Sequence, residues 1–532
     1  MQAFGVSCQG GLNTNLNQFQ MLEQPGFATE LENFEVDPDG GYRRINGYTQ
    51  FGDTNPNSSN AILGLFVYAD GVIACSGTNI YFSLDGESWL QINKASVAVG
   101  GDNYTAFTGR SAAARTSQGQ ATFALFEGSS IYGEVVITDK GSGIKPALFK
   151  MTGTGALSGR TFFYEEITVS GVVYPKYCVV HDKHLVVAGA ATALNTIYYS
   201  GTSDINSFSS TGSGSIALDD QVVGIKSFRT DLIIFCKNSI YKLSNINDSD
   251  TIAVSPITKN VGCLDGHSIQ EIGGDLLFLS PDGFRLVAGT ERIGDVELGS
   301  VSRQIQSVVS KIAASIDTYT INSAVLRSKS QYRFFYSTAT GSTSTSKGVI
   351  GTITPNGFEW SETIGIQAHG FASGFNYSNV EKIYHGDSAG YVYNHNTGND
   401  FNPAGTQTNI NARYKTPNLD FGDAGTLKSL HYTKISFTPE GTVEPTLQIS
   451  YDFDSTDRLQ PPLYVLDTIP TPAVFSAGTF GTSVFGASQD PMARQAVQGS
   501  GHNIAFKIYS QDTNAPYSIN GFYVDYRPSG RR

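Results

Sequence analysis

Residues 61–92 form the unit that most narrows the choice of fold: ILGLFVY, a turn at Ala69-Asp70-Gly71, VIACS, a turn at Gly77-Thr78-Asn79, IYFSL, a turn at Asp85-Gly86, then SWLQI. Short runs rich in β-branched and aromatic residues read as strands, and Gly or Asn at the turns supplies the positive φ that tight hairpins need. Four antiparallel strands in succession make the meander that is one blade of a β-propeller. Comparable units fall at about 101–157, 174–212, 217–257, 263–298, 320–361 and 364–397. Their spacing of about 40–55 residues suits blades, although the units share little identity. Composition agrees: 58 Gly, 27 Tyr and 32 Phe with only 15% charged residues favour short strands and tight turns, and 40% apolar content suffices for a large core. The expected fold is all-β, a β-propeller of about six or seven blades.

Three stretches break this texture. In 300–314 (SVSRQIQSVVSKIAA), Ile305, Val308, Val309 and Ile312 recur at helical spacing, which predicts a short helix with Ser302 as its N-cap. The stretch 337–347 (STATGSTSTSK) reads as an exposed hairpin tip. Beyond about 400 the strands lengthen and alternate, as in LHYTKISFTPEG and INGFYVDYRP, which predicts a C-terminal β-sandwich-like domain with a weakly anchored loop at 475–488. The expected organisation is 1–55, an N-terminal segment and first hairpin that docks or closes; 56–400, the propeller; and 401–532, the sandwich-like domain.

The formal net charge is −12. A chain whose main work is clamping phosphates needs cationic surface, so nucleic-acid clamping is disfavoured. The five cysteines (Cys8, Cys75, Cys178, Cys236, Cys263) are scattered without a CxxC pair, which argues against a zinc knuckle or a disulfide framework. Cys178 and Cys236 lie in apolar runs and read as buried thiols. The stretch MQAFGVSCQGGLNTNLNQ has neither a basic n-region nor an apolar h-region, so no secretory signal is expected. No apolar run approaches the ~18 residues of a membrane span, and synthesis in the cytoplasm follows as an expectation.

Candidate chemistry is sparse. Ser83-Leu84-Asp85-Gly86-Glu87-Ser88-Trp89 resembles the Asp-box of sialidase-type propellers but is one residue short, and such a box ties off a hairpin rather than catalysing. His181-Asp182-Lys183-His184 offers two imidazoles to a metal; on one strand i and i+3 face apart, so a polar turn is the better reading. Asp452 and Asp454 in YDFDS would share a strand face, as an acid/base pair or cation ligands, or simply end a solvated strand. No nucleophile elbow, P-loop, HExxH or convergent carboxylate and arginine set is present. No cofactor, metal or catalytic residue is expected. Gly40, Gly41, Asp85, Gly86, Asp282 and Gly283 read as structural turn residues.

Residues 24–47 (QPGFATELENFEVDPDGGYRRING) carry more information. A turn at Asp37-Pro38-Asp39-Gly40-Gly41 leads to Arg43 and Arg44 on an early strand, where two planar guanidiniums suit carboxylate or phosphate contacts, although such a basic pair is most often an ordinary surface ion pair. The spacing Asn33, Gly40-Gly41, Arg43-Arg44, Gly47 resembles the opening of tail hub, or nozzle, proteins of short-tailed bacteriophages: the packaged-DNA stabilisation proteins and the larger tail tubular B proteins. The resemblance continues in YCVVHDKHLVVAG and IYYSGTSDINSF (177–208), DDQVVGIKSFRTDLIIFCKNSIYKLSN (219–245), VGCLDGHSIQEIGGDLLFLSPDGFRLV (261–287), IYHGDSAGYVYNHNTG (383–398) and YKTPNLDFG (414–422). It implies a structural virion protein of the phage tail. Copies would close into a ring, usually a hexamer, below the connector or adaptor ring, retaining packaged DNA and prolonging its ejection channel. The implied partners are further copies, the connector, tail fibres or tailspikes, and viral double-stranded DNA passing without sequence-specific binding. Arg43 and Arg44 would then contact a neighbouring subunit or the connector. The competing class is a propeller glycosidase, sialidase-like, or a carbohydrate-binding receptor-recognition protein, for which the expected carboxylate set is missing.

Overall fold

The structure, a computed structural model, describes residues 2–38, 40–57, 60–93, 97–99, 102–104, 119–128, 130–141, 143–169, 173–288, 300–338, 346–466 and 492–531. The expected loop at 475–488 and most of the expected tip at 337–347 lie outside these residues, as do parts of the units expected at 101–157 and 263–298. No helix among the described residues is long and apolar enough to cross a membrane.

Blade I is the four-stranded meander Ile62–Tyr68, Gly71–Ser76, Asn79–Ser83 and Leu90–Gln91, with Ala69, Gly77 and Gly86 at positive φ in its turns. Blade II begins at Ala121 and runs through Glu134–Asp139 and Ala147–Thr152 to Thr161–Glu166. Its start is later than expected because Val97–Val99 and Asp102–Tyr104 pair with each other as a separate ribbon. Blades III (Tyr177–His181 to Gly214–Ala217) and IV (Val222–Phe228 to Ala253–Thr258) have four strands each, and blade V shows three among the described residues (Gln270–Ile272, Asp275–Ser280, Gly283–Leu286). Blade VII comprises Gly370–Phe375, Glu381–Gly386, Val392–His395 and, as its outer strand, Tyr48–Gln50 from the N-terminal segment. Between V and VII, the strands Tyr319–Leu326, Gln331–Thr338, Lys347–Thr354 and Gly357–Ile364 form blade VI, whose sheet runs on into the C-terminal domain. Six free-standing blades and this shared one surround a single axis, onto which Gly64, Ala121, Val179, Ile225, Gln270, Ala324 and Ala372 open, one from each.

Apolar clusters fill the space between successive blades. Ile73 and Cys75 meet Val135 and Phe149 between I and II, Val136 meets Leu185 and Val187 between II and III, and Leu65 and Val67 meet Ala372 and Tyr384 where VII returns to I. Each blade is therefore covered on both faces. That is why Gly71–Ser76, Glu134–Asp139 and His184–Ala190 are buried along their whole length and read as apolar runs, not as an alternating pattern. Tyr48 seals the last blade: it is buried and stacks on Phe401 at 5.2 Å, with its edges against Tyr393 and His385.

The C-terminal domain is two sheets over one core. One contains the long strands Thr426–Pro439 and Tyr517–Arg531 with Met492–Ala496 and Ser500–Gly501, and is extended by Phe34–Val36, Tyr42–Arg44 and Gln2–Ser7. The other continues blade VI through Glu30–Glu32 into Ile410–Lys415, Ile504–Asp512, Thr446–Tyr451 and Tyr464–Val465. The chain segments 1–55, 56–400 and 401–532 thus interleave in these sheets. Their core (Phe34, Ile435, Phe437, Ile449, Ile508, Ile519) is continuous with Phe284, Tyr332 and Trp360 of blades V and VI. Helix Gln306–Ala314 caps this joint with Ile305, Val309 and Ile312 inward. Ser302 occupies the N-cap position of the 3-10 turn Arg303–Ile305 that leads into the helix, but its hydroxyl makes no capping bond and instead accepts the Phe284 amide at 2.9 Å, because this stretch is pinned against blade V.

Candidate functional site

The hairpin that carries Arg43 and Arg44 folds as its sequence suggests, but its side chains go elsewhere than expected. The Gly40 amide bonds the Asp37 carbonyl at 2.9 Å, and the Asp37 amide bonds the Gly41 carbonyl at 3.1 Å; Asp39 lies outside the described residues. Gly40 and Gly41 both sit at φ 101°, and a Cβ on Gly41 would come within 3.0 Å of the Ile519 carbonyl oxygen, so glycine is required there twice over. The strand beyond, Tyr42–Arg44, pairs with Tyr517–Arg531, with Tyr42 and Arg44 buried and Arg43 between them partly exposed.

Arg44 is completely buried; its guanidinium donates to the carbonyls of Asp512 (2.7 Å), Asn514, Ala515 and Asn399, and lies 3.3 Å from the Asp512 carboxylate. Arg43 donates through Nη1 to Glu35 at 2.7 Å, and through Nε and Nη2 to both carboxylate oxygens of Glu440. Both guanidiniums are therefore consumed inside the chain, and the intersubunit or connector contact expected of them is corrected: Arg44 has no exposed surface to offer, and Arg43 already has two carboxylates.

Glu35, an unremarked acid in ENFEV, is the centre of the joint. Its buried carboxylate accepts Arg43 Nη1 and Lys329 Nζ on Oε1, both at 2.7 Å, and Arg333 Nη2 on Oε2 at 2.9 Å. Burial alone would raise its pKa, but Lys329, Arg333 and Arg43 outweigh it and hold the carboxyl down at about 2. Arg333, also wholly buried, donates Nη1 to His395 Nε2 at 2.8 Å, and His395 Nδ1 lies 3.2 Å from His385 Nδ1. Burial, reinforced by Arg333, pulls the His395 pKa far below the ordinary imidazole value, and burial lowers that of His385 to about 3. The N-terminal hairpin, blade VI and blade VII meet at this one network.

The other candidates resolve as local structure. His181-Asp182-Lys183-His184 is the polar turn expected: His181 and His184 are cross-strand partners around Asp182 and Lys183, at φ 49° and 67°, and as hairpin partners they share a face. They do not converge: His181 bonds Ser227 at 2.8 Å, and His184 bonds the Ser200 carbonyl and Asn247. Asp452 and Asp454 do not share a strand face, because the strand ends at Tyr451 and Asp452, Phe453 and Asp454 all turn left-handed. Asp452 accepts the amides of His502 (2.7 Å) and Asn503 and pairs with Arg458, while Asp454 pairs with Lys415. Ser83 Oγ accepts the Gly86 amide at 2.8 Å and Asp85 accepts the Glu87 amide at 3.0 Å, while Trp89 donates to the Thr54 carbonyl. Asp282 is held by Ser280 (2.8 Å) and Arg285, beside Gly283 at φ 143°. All five cysteines are buried thiols, and burial pushes four of them, including Cys178 and Cys236, up to about 12. Among the described residues no group of three His, Cys, Asp or Glu side chains could hold a metal.

The propeller axis is bridged. Gln120 at the head of blade II donates across it to Asn322 of blade VI (3.2 Å) and to the Ile321 carbonyl. His267, ahead of blade V, reaches the Ala121 carbonyl at 3.2 Å, and Lys140 pairs with Asp265 at 2.9 Å. The axis is left as a recess of about 220 Å³.

No family model and no curated protein matches this sequence. Among solved structures, the chain is similar to the exo-β-1,3-galactanase of Phanerochaete chrysosporium with galactose, at 8% identity and a TM-score of 0.26 over 91% of this chain and 100% of that one. A singly substituted form of the same enzyme with β-1,3-galactotriose gives 9% identity and a TM-score of 0.25 over the same shares. BBS1N in complex with ARL6DN gives 9% identity and a TM-score of 0.26 over 63% of this chain and 77% of that one. At these scores the likeness transfers no chemistry, and the fold stands on the strand order itself.

Two expectations follow. Arg44→Ala strips its hydrogen bonds from buried carbonyls and leaves a hole, so it should lower the unfolding free energy by about 3–5 kcal/mol in denaturant titration, with Arg43→Ala costing less. An unchanged midpoint for Arg44→Ala would contradict this placement. For Glu35, His385 and His395 the folded-state pKa lies below the unfolded one, so the unfolded chain binds more protons and stability falls as pH falls: from about 6.5 downward for the imidazoles, and from 4.5 toward about 2 for Glu35. His385→Asn should flatten the pH dependence of the melting temperature between about pH 6.5 and 4; an identical slope in the variant would contradict it.

Proposed function

We propose that this chain is a structural, non-catalytic subunit of a short phage tail, closing with further copies into a ring that extends the DNA-ejection channel beneath the connector. The observation that carries the reading is a pair of unlike exposed apolar patches on one cross-tied body. Ile131, Phe375, Tyr377 and Val380 crown blades II and VII, on either side of blade I, while Phe453, Leu459, Leu463 and Val465 lie on the sandwich. A ring made by head-to-tail contact needs two different surfaces on each subunit, whereas a monomer gains nothing from either.

Two further features support it. Because the propeller axis is bridged by Gln120, Asn322 and His267, a duplex channel belongs between copies and not through one. A net charge of −12 suits a wall that repels phosphates and lets them slide. Arg43 and Arg44 then serve the ring indirectly, by building the body that presents both patches. Connector and tail-fibre contacts remain part of the proposal, on the strength of the sequence resemblance.

The purified chain, alone at high concentration or with its connector ring, should sediment as a closed ring visible by electron microscopy. Phe375→Glu with Leu463→Glu should abolish the ring while leaving the melting temperature nearly unchanged. A wild-type chain that stays monomeric under both conditions, or that turns over a capsular or lipopolysaccharide glycan, would overturn the reading.

A further inference from the structure

The recess on the propeller axis has a chemistry unlike the rest of the molecule. The chain has 47 acidic residues, yet among the described residues no Asp or Glu lines this cavity; its cationic walls are Lys226 and Arg327, while burial and Lys140 favour the neutral form of His267. Each free-standing blade is hydrogen-bonded along only one edge of its leading strand, so the other edges turn backbone N–H and C=O groups toward the axis. The inner end is closed by the bridge of Gln120, Asn322 and His267. At the outer end Phe66 and Phe123 stack at 5.4 Å, and Arg327 lies exposed over the Phe375 ring.

Lys226, half-buried on the leading strand of blade IV, is the odd group out. Cations elsewhere in the interior are matched: Lys140 has Asp265, Arg160 has Asp70, and Lys329 and Arg333 share Glu35. Lys226 makes no hydrogen bond and no ion pair with any described residue. Burial lowers its pKa, Glu271 on blade V pulls it back up, and Arg327 opposes the charge further. Glu271 acts on this ammonium electrostatically but forms no ion pair with it, so a small anion entering the recess can supply the direct partner that the other interior cations have.

We infer that this recess is a binding site for one small oxyanion, of the phosphate or carboxylate class, paired by Lys226 and screened at the mouth by Arg327. The inference is independent of ring formation. A volume of about 220 Å³ admits such a group with some water and excludes a nucleic-acid strand, so the ligand is a small molecule or ion. His267 cannot substitute for Lys226, because its nitrogens are already engaged by Asp265 and the Ala121 carbonyl.

The full chain should be titrated at low ionic strength with inorganic phosphate and, separately, with acetate, following melting temperature and heat of binding. At least one anion should bind saturably and raise the melting temperature. Lys226→Met should weaken it about tenfold or more and Lys226→Arg should retain it, as expected for loss or retention of one charge-assisted contact. Arg327→Gln, at an exposed position that does not threaten folding, should weaken binding several-fold even if Lys226→Met fails to fold. Phosphate alone binding, or acetate alone, would assign the site to that class. No saturable binding of either anion, or equal binding by wild type, Lys226→Met and Arg327→Gln, would overturn the proposal.

Discussion

A single carboxylate, Glu35, accepts three cations in a place water does not reach. Taking charges out of water is expensive, and a buried ionic group is tolerable only when its partners are complete and well placed. Here one partner comes from the N-terminal hairpin (Arg43) and two from blade VI (Lys329 and Arg333), with His395 of blade VII accepting the spare hydrogen bond of Arg333. Depression of the Glu35 pKa from 4.5 to about 2 makes the ionised form worth roughly 3 kcal/mol to the fold at neutral pH. None of these groups is satisfied unless the hairpin, both blades and the sandwich are already in place. The network rewards only the complete assembly.

That dependence gives the N-terminal fifty residues their role. A propeller must close its last blade on its first, and an appended sandwich must be fixed to the propeller or it will swing. The same segment meets both demands: Tyr48–Gln50 completes blade VII, Glu30–Glu32 bridges blade VI to the sandwich strand Ile410–Lys415, and Gln2–Ser7 pairs with Tyr517–Arg531. The core shared by Trp360, Phe284 and the sandwich leaves no solvent layer at this joint.

Blade I was legible residue by residue because its turns carry Gly or a short polar residue and its strands are buried on both faces, which produces unbroken apolar runs. The helix at Gln306–Ala314 was legible from Ile305, Val309 and Ile312, although Ser302 found a better partner in Phe284. Blade II was placed too early because the apolar pattern of 97–104 belongs to its own ribbon. The N-terminal strands were hidden by their length: three residues at Glu30–Glu32, Phe34–Val36 and Tyr48–Gln50 are too few to show a period. Arg43 and Arg44 looked like surface groups because nothing local reveals Glu440 or Asp512, which arrive from the far end of the chain, 397 and 468 residues away. Glu35 and Lys226 carried no signal, since a lone charge in sequence says nothing of whether the fold will complete it or strand it.

Propeller and sandwich should unfold as one unit, because the N-terminal segment locks them through Glu35. Differential scanning calorimetry of wild type and Glu35→Gln at neutral pH tests it most directly. Wild type should show one transition, with calorimetric and van't Hoff enthalpies in agreement, and Glu35→Gln a lowered transition that broadens or splits. Two well-separated transitions in wild type, one of them unmoved by Glu35→Gln, would contradict it.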